Sequence, residues 1–482
     1  MFFSIMATKK NTAKKSISIK KTPSSLGKPM KGRDVIVRAL ENEGVKVIFG
    51  YPGGTSMEIH QGLTLSKKIR MVLPRHEQGG SFAAGGYARS TGDVGVCMAT
   101  SGPGATNLIT GIIDAKMDSI PLVAITGQVA STLLGSDAFQ ETDIMGATFP
   151  LVKHSYMVQN VEEIPKIINE AFHIARSGRP GPVLIDIPKN IQQQEGIADF
   201  NVKFDCPSYR PNLKPSILQC KKAAHAIQTA KRPIIYAGGG IVSSGASEEL
   251  RAFVKKTGIP VTTTAMGLGI FPSNDPLSLR MLGMHGAVYA NIAINHADLV
   301  IAMGVRFDDR VTGKLAEFCK NAQFIHMDID PTEINKNIVV DVPIQGDVKQ
   351  TLKIMQGYVE PNKDIKPWVK QVQGWKKEFP LEFKLKKGEI VPQSVVSDIN
   401  KLSAKDAIFS VGVGQHQMWA AQFLDFNQPN NWLCSSGLGA MGYGLPAAMG
   451  AQVAFPDRQV INIEGDGSFL MNIQELQTLK IE

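Results

Sequence analysis

Val460-Ile-Asn-Ile-Glu464 runs directly into Gly465-Asp-Gly-Ser468 and then into the stretch Phe469–Leu479. The first segment has the pattern of an apolar strand and the last that of a helix, so a strand-to-helix turn lies between them. Such a turn presents backbone N–H groups at a helix N-terminus, where a phosphate binds well. The glycines beside Asp466 let a large ligand approach the backbone. The stretch therefore predicts an α/β unit that binds a phosphate-bearing ligand.

The aspartate in this turn carries a further prediction. Asp466 would repel a phosphate unless a cation lay between them. Mg²⁺ is typically held by one or two protein carboxylates together with ligand phosphates. We therefore expect Mg²⁺ to bridge Asp466 and a diphosphate. A helix-capping turn with an exposed aspartate is the alternative that these four residues leave open.

Short apolar strands alternate with helical patterns along most of the chain, which is typical of doubly wound parallel sheets covered by helices. We therefore expect an α/β fold. The predicted strands are Val47–Phe49, Ile69–Leu73, Val94–Ala99, Pro121–Thr126, Val183–Ile187, Pro233–Ala237, Val261–Thr263, Leu299–Met303, Phe324–Asp328, Ala407–Val411 and Gln459–Ile463.

The chain has 482 residues, too many for a single hydrophobic core. Two polar stretches with little periodicity are interpreted as linkers. The last predicted unit stops within a helix-like pattern, so we expect it to be an incomplete domain. The predicted division is a basic flexible tail at 1–29, units at 30–191, 216–355 and 389–482, and linkers at 192–215 and 356–388.

The net charge of +9 lies mostly in the tail, because residues 1–29 contain seven lysines and no acidic residue. This location argues against a nucleic-acid partner. No apolar run reaches the roughly 20 residues of a membrane-spanning helix. The five cysteines are widely spaced and predict neither a disulfide framework nor a zinc site. We expect a cytoplasmic protein, or a plastid or mitochondrial one if the tail is a targeting segment.

Two glycine-rich motifs are less specific. Gly437-Leu-Gly-Ala-Met-Gly442 matches a dinucleotide fingerprint, with Asp457 placed as its ribose acid. We prefer helix–sheet packing close to a phosphate, because that fingerprint does not predict a Gly-Asp-Gly turn behind the acid. Thr100–Ala105 and Ser435–Ala440 share Ser-Gly-x-Gly-Ala, which indicates related first and third units or a chance match.

Arg75-His-Glu77 follows the predicted strand Ile69–Leu73 and opens a helix rich in Gly and Ala. A carboxylate at a helix N-terminus is stabilised by the helix dipole, so a simple cap is one interpretation of Glu77. Gly50–Gly54 and Thr100–Gly104 follow neighbouring strands. Because α/β sheets bind ligands at the carboxyl ends of their strands, a site at this edge is the other interpretation.

Taken together, these strings resemble the thiamine-diphosphate enzymes, and within them the catalytic subunits of the acetohydroxyacid synthase (acetolactate synthase) family. They occur in family order from about residue 31 to the end of the chain. The strings are Tyr51-Pro-Gly-Gly54, Arg75-His-Glu-Gln78, Ala99-Thr-Ser-Gly-Pro-Gly-Ala-Thr-Asn107, Ser136-Asp-Ala-Phe-Gln-Glu141, Gly178-Arg-Pro-Gly-Pro182, Leu282-Gly-Met-His-Gly286, Gly304-Val-Arg-Phe-Asp-Asp-Arg310, Gly412-Val-Gly-Gln-His-Gln-Met-Trp419 and Gly465-Asp-Gly-Ser468.

The resemblance implies a transferase that decarboxylates pyruvate on thiamine diphosphate and joins the two-carbon unit to a second 2-keto acid. Pyruvate or 2-ketobutyrate as acceptor would give 2-acetolactate or 2-aceto-2-hydroxybutyrate, the first common step of isoleucine, valine and leucine biosynthesis. It also implies a homodimer or larger assembly with interfacial active sites, and a separate small regulatory subunit. The alternatives are another thiamine-diphosphate carboligase or oxidase, or a truncated silent subunit.

The resemblance also implies roles for residues at the active site. Glu77 would activate the aminopyrimidine ring, and Gln128 would lie near the reacting centre. Phe139 and Lys189 would line the substrate channel from the neighbouring subunit, rather than being a core residue and a surface charge. Asp466 would hold Mg²⁺. Contacts to thiamine diphosphate are implied for Pro52, Gly53, Gln415, His416, Gly439, Met441, Gly465, Gly467 and Ser468.

By the same resemblance, the first unit is a pyrimidine-binding domain, the second an FAD domain and the third a diphosphate-binding domain. The FAD is implied to be structural, because the overall reaction has no net redox change. A central domain without flavin is the alternative. The implied FAD contacts are Arg179, Gly238, Gly239, Met284, His285, Arg306, Arg310, Asp328, Asp330 and Asp347.

Overall fold

The computed structural model describes residues 27–385 and 388–482, so most of the predicted tail lies outside the described residues. Three parallel sheets, each with its own helices, follow one another along the chain. The predicted α/β class is therefore confirmed. Within the described ranges, no helix is long and apolar enough to cross a bilayer.

The first sheet has six parallel strands in the order β3-β2-β4-β5-β7-β6. Its central strands are buried on both faces, which explains their nearly continuous apolar sequences. The strands are β1 (Met30–Lys31), β2 (Val47–Gly50), β3 (Arg70–Val72), β4 (Gly95–Ala99), β5 (Leu122–Gln128), β6 (His154–Met157), β7 (Pro182–Pro188) and β8 (Glu195–Gly196), with β1 and β8 forming a separate antiparallel pair.

Helices cover both faces of this sheet and enclose one hydrophobic cluster on each. Strands β5 and β7 pair along their whole length, from Leu122 opposite Pro182 to Gln128 opposite Pro188. Their ends therefore meet at one edge of the sheet. The helices are α1 (Gly32–Asn42), α2 (Met57–Leu63), α3 (Glu77–Thr91), α4 (Pro103–Asn107), α5 (Ile109–Asp118), α6 (Ile144–Thr148), α7 (Ile164–Arg176) and α8 (Lys189–Gln193).

The second sheet also has six parallel strands, in the order β11-β10-β9-β12-β13-β14. Two further clusters fill its faces. The strands are β9 (Pro233–Ala237), β10 (Val261–Thr263), β11 (Ser278–Met281), β12 (Leu299–Met303), β13 (Gln323–Asp328) and β14 (Val342–Gln345). The helices are α9 (Ile217–Thr229), α10 (Gly239–Ser243), α11 (Ser247–Thr257), α12 (Val288–His296), α13 (Asp309–Thr312) and α14 (Val348–Met355).

The stretch predicted as a linker at 356–388 contains a helix in its central part. Helix α15 (Lys366–Glu378) lies there and packs on the second domain. Trp368 is buried, and its Nε1 donates to the carbonyl oxygen of Pro233 at 2.9 Å. The polar composition of the stretch concealed this helix, because only a narrow apolar stripe faces the domain.

The third sheet has three parallel strands in the order β16-β15-β17. The single helix predicted at 469–479 is instead two helices, because the helical backbone is interrupted at Asn472. The buried amide of Asn472 donates to the carbonyl oxygen of Gly442 at 2.8 Å. The elements are β15 (Ile408–Val411), β16 (Trp432–Leu433), β17 (Val460–Ile463), α16 (Pro392–Leu402), α17 (Gln415–Phe423), α18 (Gly444–Ala454), α19 (Asp466–Met471) and α20 (Glu475–Ile481).

Helices α3 and α18 cross with their backbones in direct contact. A side chain at Gly86 would overlap the carbonyl oxygen of Ala447, and one at Gly450 would overlap that of Ala83. Glycine at these positions allows the close approach. The first and third domains are thereby held in a fixed relation, with Glu77 at the N-terminus of the crossing helix.

Candidate active site

Glu77 is the first residue of α3 and lies at the carboxyl edge of the first sheet. Its Oε2 accepts a hydrogen bond from Asn107 Nδ2 at 3.0 Å. A side chain at Gly104 would place its Cβ 3.2 Å from Glu77 Oε1. The carboxylate is thus held between a helix N-terminus, an amide and a bare stretch of backbone, and it is only partly buried.

The N-terminus of α3 is completed by the third domain. The buried carboxylate of Glu475, on α20, accepts hydrogen bonds from the backbone N–H of Arg75 at 2.9 Å and of His76 at 3.1 Å. Burial raises the pKa of Glu475. Since this contact spans about 400 residues of sequence, it fixes the start of the helix that carries Glu77.

Gln128, which was predicted to lie near the reacting centre, is the last residue of β5. Its side chain is buried, and Nε2 donates to Asp186 Oδ2 and to the carbonyl oxygen of Thr142, both at 2.9 Å. Its Oε1 accepts from the N–H of Val129 at 2.8 Å. The amide therefore braces the loop that follows β5, and its closeness to a reacting centre stays a prediction.

Phe139 lies on that loop and is 88% exposed, so the alternative of a core phenylalanine is wrong. Lys189 begins α8, directly after β7, and is half-buried. The next residue, Asn190, accepts from the N–H of Ser131 at 2.8 Å and donates to its Oγ at 2.9 Å. These bonds tie the helix of Lys189 to the loop of Phe139.

Pro52 and Gly53 lie in the loop after β2. A side chain at Gly53 would place its Cβ 2.5 Å from Thr100 Cβ, so the two loops pack against each other. Thr55 Oγ1 joins them, since it lies 2.9 Å from Thr100 Oγ1 and accepts from the N–H of Ser101 at 2.9 Å. Both loops belong to the same carboxyl edge as Glu77.

In the third domain, Asp466 is the first residue of α19 and is exposed. Within residues 27–385 and 388–482 its carboxylate has no hydrogen bond or ion pair, and no cluster of three or more His, Cys, Asp or Glu forms a metal site. The adjoining turn is braced from behind, where Ser468 Oγ accepts from the N–H of Gly442 at 2.9 Å. A free, exposed carboxylate on a rigid turn can coordinate a cation.

Gln415 and His416 open α17 beside this turn. The His416 ring packs on Gly465, where a side chain would place its Cβ 2.8 Å from Nδ1. Burial lowers the pKa of His416. Its buried Nε2 lacks a hydrogen-bond partner among the described residues and lies 3.9 Å from Glu464 Oε2. Gly439 and Met441 are exposed on the neighbouring loop.

A cavity of about 690 Å³ lies where the three domains meet. Most of the residues predicted to contact FAD surround it, although they come from distant parts of the sequence. Those that line the cavity are Arg179, Gly239, Met284, His285, Arg306, Arg310, Asp328 and Asp347. Residues of the first domain, Met117–Ser119, and of the third, Ser435–Gly439, complete the wall.

Several of these side chains already have protein partners. Arg179 donates to Ser119 Oγ at 2.8 Å, to Asp330 at 3.1 Å and to Glu333 at 2.6 Å. Asp330 therefore reaches the cavity only through Arg179. Asp347 accepts from the N–H of Gln350 at 2.9 Å and caps α14.

Other polar groups on the cavity wall have fewer protein partners. Burial raises the pKa of Asp328 to about 7. Arg306 lines the cavity, with its Nη2 beside Gly437, and within the described part of the chain it forms no ion pair. Gly238 does not line the cavity. A side chain there would place its Cβ 2.5 Å from the carbonyl oxygen of Gly304, so this glycine serves strand packing.

Family models match three segments of the chain: the thiamine pyrophosphate enzyme N-terminal TPP binding domain at 30–147, the central domain at 220–355 and the C-terminal TPP binding domain at 412–482. "Acetolactate synthase 3, chloroplastic" of Brassica napus is 55% identical over 461 residues, covering 94% of this chain and 70% of the relative. The chain belongs to the acetolactate synthase family. "Acetolactate synthase, chloroplastic" of Arabidopsis thaliana (54%, covering 94% and 68%) and "Acetolactate synthase 2, chloroplastic" of Zea mays (53%, covering 95% and 73%) agree.

Membership of the acetolactate synthase family confirms the predicted resemblance and the three-domain architecture, while the exact domain boundaries stay predictions. Sequence reasoning missed Asn107, Asp186 and Glu475. Asn107 ends a string that was recognised, so its position gave a usable signal. Asp186 looked like an ordinary strand residue, and the partner of Glu475 lies too far away in sequence for any local pattern to indicate it.

Proposed function

We propose that this chain decarboxylates pyruvate and joins the two-carbon unit to a second 2-keto acid, giving 2-acetolactate or 2-aceto-2-hydroxybutyrate. This is the first common step of isoleucine, valine and leucine biosynthesis. The observation that carries the proposal is Glu77, held accessible by Asn107 at a helix N-terminus in a chain more than half identical to proteins named acetolactate synthase.

Thiamine diphosphate and Mg²⁺ fit the third-domain loops on two observations. Among the residues that the structure describes, the exposed carboxylate of Asp466 has no protein partner, and neither does the buried Nε2 of His416. We infer that Asp466 holds Mg²⁺. When bound, the cofactor supplies the electron sink for decarboxylation and carbon–carbon bond formation. The diphosphate would contact Gln415, His416, Gly465, Gly467 and Ser468, while Gly439, Met441, Pro52 and Gly53 would lie against the rest of the cofactor.

The roles of the first-domain residues follow from their surroundings. Glu77 has one oxygen fixed by Asn107, which leaves Oε1 to hydrogen-bond the aminopyrimidine ring and exchange a proton with it. Lys189 carries a positive charge to the edge, where the carboxylate of a 2-keto acid enters, and Phe139 would exclude water there. Gln128 acts as a positioning residue that holds the Phe139 loop. Orienting two substrates is a major part of such catalysis.

FAD fits the cavity between the domains. The cavity volume of about 690 Å³ lies within the usual range for small-molecule sites. Arg306, whose guanidinium has no ion pair in the described ranges, would bind a pyrophosphate, and the carboxyl group of Asp328 would bind a ribose hydroxyl. We infer a structural role for the flavin, because the proposed reaction involves no net redox change. A flavin reduced by pyruvate during turnover would instead indicate an oxidase.

A second copy of the chain is proposed to complete the active site. Exposed apolar side chains lie beside the proposed site residues of both domains, namely Phe139 in the first domain and Leu470 and Met471 in the third. Covering them would bury apolar area and desolvate the site. A separate small regulatory subunit is proposed from the resemblance. A plastid location is supported by the names of the relatives, whereas nothing among them supports the cytoplasmic expectation.

The decisive assay measures acetolactate formed from pyruvate with Mg²⁺, thiamine diphosphate and FAD present. Glu77→Gln keeps the shape of the side chain and removes its charge, so we expect a rate loss of roughly 100-fold or more, within the range of general acid–base catalysis. Glu248→Gln, at the first turn of α11 in the second domain, is the matched control and should retain the rate. Full activity of Glu77→Gln would refute the assigned mechanism.

A further inference from the structure

A buried charge cluster joins the first and third domains beside both proposed cofactor sites. Arg89, on α3, donates to Asp118 Oδ2 at 2.7 Å and to Asp114 Oδ2 at 3.2 Å, both on α5. All three side chains are almost completely buried. We call these residues the Arg89 cluster. Two carboxylates share one guanidinium, so one negative charge needs further hydrogen bonds, since a buried charge without partners is costly.

Those hydrogen bonds come from the loop after β16. Ser435 Oγ donates to Asp114 Oδ1 at 2.5 Å. The backbone N–H groups of Ser436 and Gly437 donate to Asp118, at 2.9 Å and 2.7 Å. The third-domain loop therefore binds the two carboxylates through hydrogen bonds, as an anion-binding loop binds its ligand. Its position is set by a first-domain charge.

This loop lies between the two proposed cofactor sites. On one side, Ser435–Gly439 form part of the cavity wall, next to Met117–Ser119. On the other side, Ser435 Oγ accepts a hydrogen bond from the N–H of Ala440 at 2.9 Å. The N–H of Gly442 donates to Ser468 Oγ, directly after the Gly-Asp-Gly turn. A shift of the loop would therefore change both sites together.

The second domain reaches the same cluster. Arg89 Nη1 lies 3.3 Å from the sulfur of Met266, which lines the cavity. A side chain at Gly437 would place its Cβ 2.9 Å from Asp118 Oδ1 and 3.1 Å from Arg306 Nη2. Position 437 therefore has no room for a larger residue while Asp118 and Arg306 keep their places.

We propose that Arg89, Asp114 and Asp118 are positioning residues that couple binding of FAD in the central cavity to binding of thiamine diphosphate at the third-domain loops. The inference rests on the proposed function only for the identity of the two ligands. FAD in the cavity favours the loop position that the diphosphate needs, and by linkage the diphosphate favours FAD binding to the same extent.

The test measures two dissociation constants without turnover, using the full chain with Mg²⁺. Binding of thiamine diphosphate is followed by calorimetry with and without saturating FAD, and binding of FAD by its fluorescence. In the unmodified chain we expect FAD to tighten thiamine diphosphate binding about 5-fold or more, which is within the usual range of coupling between sites. In Asp118→Asn both ligands should bind more weakly and the coupling should fall to about 1.

Asp298→Asn is the matched control, because Asp298 also accepts two consecutive backbone N–H groups, from Lys231 and Arg232, both at 2.9 Å. It should leave the coupling unchanged. Ser435→Ala is a milder second variant, in case Asp118→Asn does not fold, and should reduce the coupling part of the way. Equal thiamine diphosphate affinity with and without FAD in the unmodified chain would overturn the proposal.

These readouts separate the inference from the proposed function. A chain that binds both ligands with the expected coupling and forms no acetolactate would contradict the function alone. A chain that forms acetolactate and binds the two ligands independently would contradict the coupling alone.

Discussion

The two proposed cofactor regions differ in how far a single chain encloses them. The central cavity is enclosed by all three domains, and wall residues such as Arg179 and Asp347 are already fixed by protein partners. The proposed thiamine diphosphate region is open. Asp466 and Phe139 are exposed, and they lie on different domains.

One chain therefore preorganises the proposed flavin pocket, whereas the proposed catalytic surface is prepared in halves. Rigid supports lie behind each open half, namely Glu475 behind the helix of Glu77 and Ser468 behind the turn of Asp466. A site built on rigid supports can be completed by a partner without refolding, which lowers the entropic cost of association.

The largest effect is expected from Asp466→Ala on the open side. Without this carboxylate, we expect affinity for Mg²⁺ with thiamine diphosphate to fall by roughly 100-fold or more, since losing one partner of a close charge pair typically costs 2–5 kcal/mol. Calorimetric titration with the cofactor checks this. FAD affinity at fixed Mg²⁺ should change far less. A variant that binds thiamine diphosphate as well as the parent would show that Asp466 is only part of a turn.

A smaller effect is expected from Arg306→Ala on the enclosed side. Loss of one hydrogen bond to a charged group costs about 1.5–3 kcal/mol, so FAD should bind roughly 10- to 150-fold more weakly. Fluorescence titration of the flavin gives the dissociation constant. Arg310→Ala should cost less, because that side chain is largely exposed at the rim, and Arg232→Ala, whose exposed side chain does not line the cavity, is the control. A larger loss in Arg310→Ala than in Arg306→Ala would contradict the assignment of the two arginines.

Much of the fold was predictable because it is written in local patterns. Each predicted strand overlaps an observed one, and Pro233–Ala237 and Leu299–Met303 match in full. Edge strands such as β6 and β14 were missed, since half-buried strands lack continuous apolar runs. Helix α15 was missed because one tryptophan, Trp368, carries much of its burial.

The candidate site was predictable by residue type and less by role. Recognised strings located Glu77, Asp466 and most of the cavity wall. Only the structure shows that the buried Gln128 amide has hydrogen-bond partners within the protein, and that Gly238 allows close strand packing. Both distinctions depend on partners that are distant in sequence. No local pattern reports whether a polar side chain is free or satisfied.

Gln128→Ala tests this distinction and should act mainly on stability. The substitution leaves the N–H of Val129 and a carboxylate oxygen of Asp186 without partners, which we expect to cost about 1–3 kcal/mol each. Urea unfolding measures the loss, and the acetolactate rate at saturating pyruvate should fall less than about 10-fold. Gln452→Ala is the control, because the Gln452 amide donates only to backbone carbonyl oxygens among the described residues. A large rate loss with unchanged stability would restore the role first predicted for Gln128.

The smallest effect concerns Asp186, the buried counterpart of the exposed Asp466. Burial raises the pKa of Asp186 to about 7, from an ordinary value of 3.8, although Thr126 and Gln128 donate hydrogen bonds to it. The folded protein therefore binds this proton more tightly than the unfolded chain does. The resulting stabilisation is complete below about pH 4 and is lost as the pH rises through about 7.

Asp186→Asn removes this titration while keeping the shape of the side chain. The unfolding free energy of the parent minus that of Asp186→Asn should therefore fall between pH 5 and pH 7, at a slope of at most about 1.4 kcal/mol per pH unit, and level off above pH 8. Urea unfolding at a series of pH values measures it. Thr126→Val removes a bond that lowers the pKa of Asp186, so in that background the fall should extend to higher pH. If this difference in unfolding free energy did not change with pH in either background, the Asp186 carboxylate would be hydrated in the folded protein. The open half of the site would then have no water-free support beneath its exposed residues.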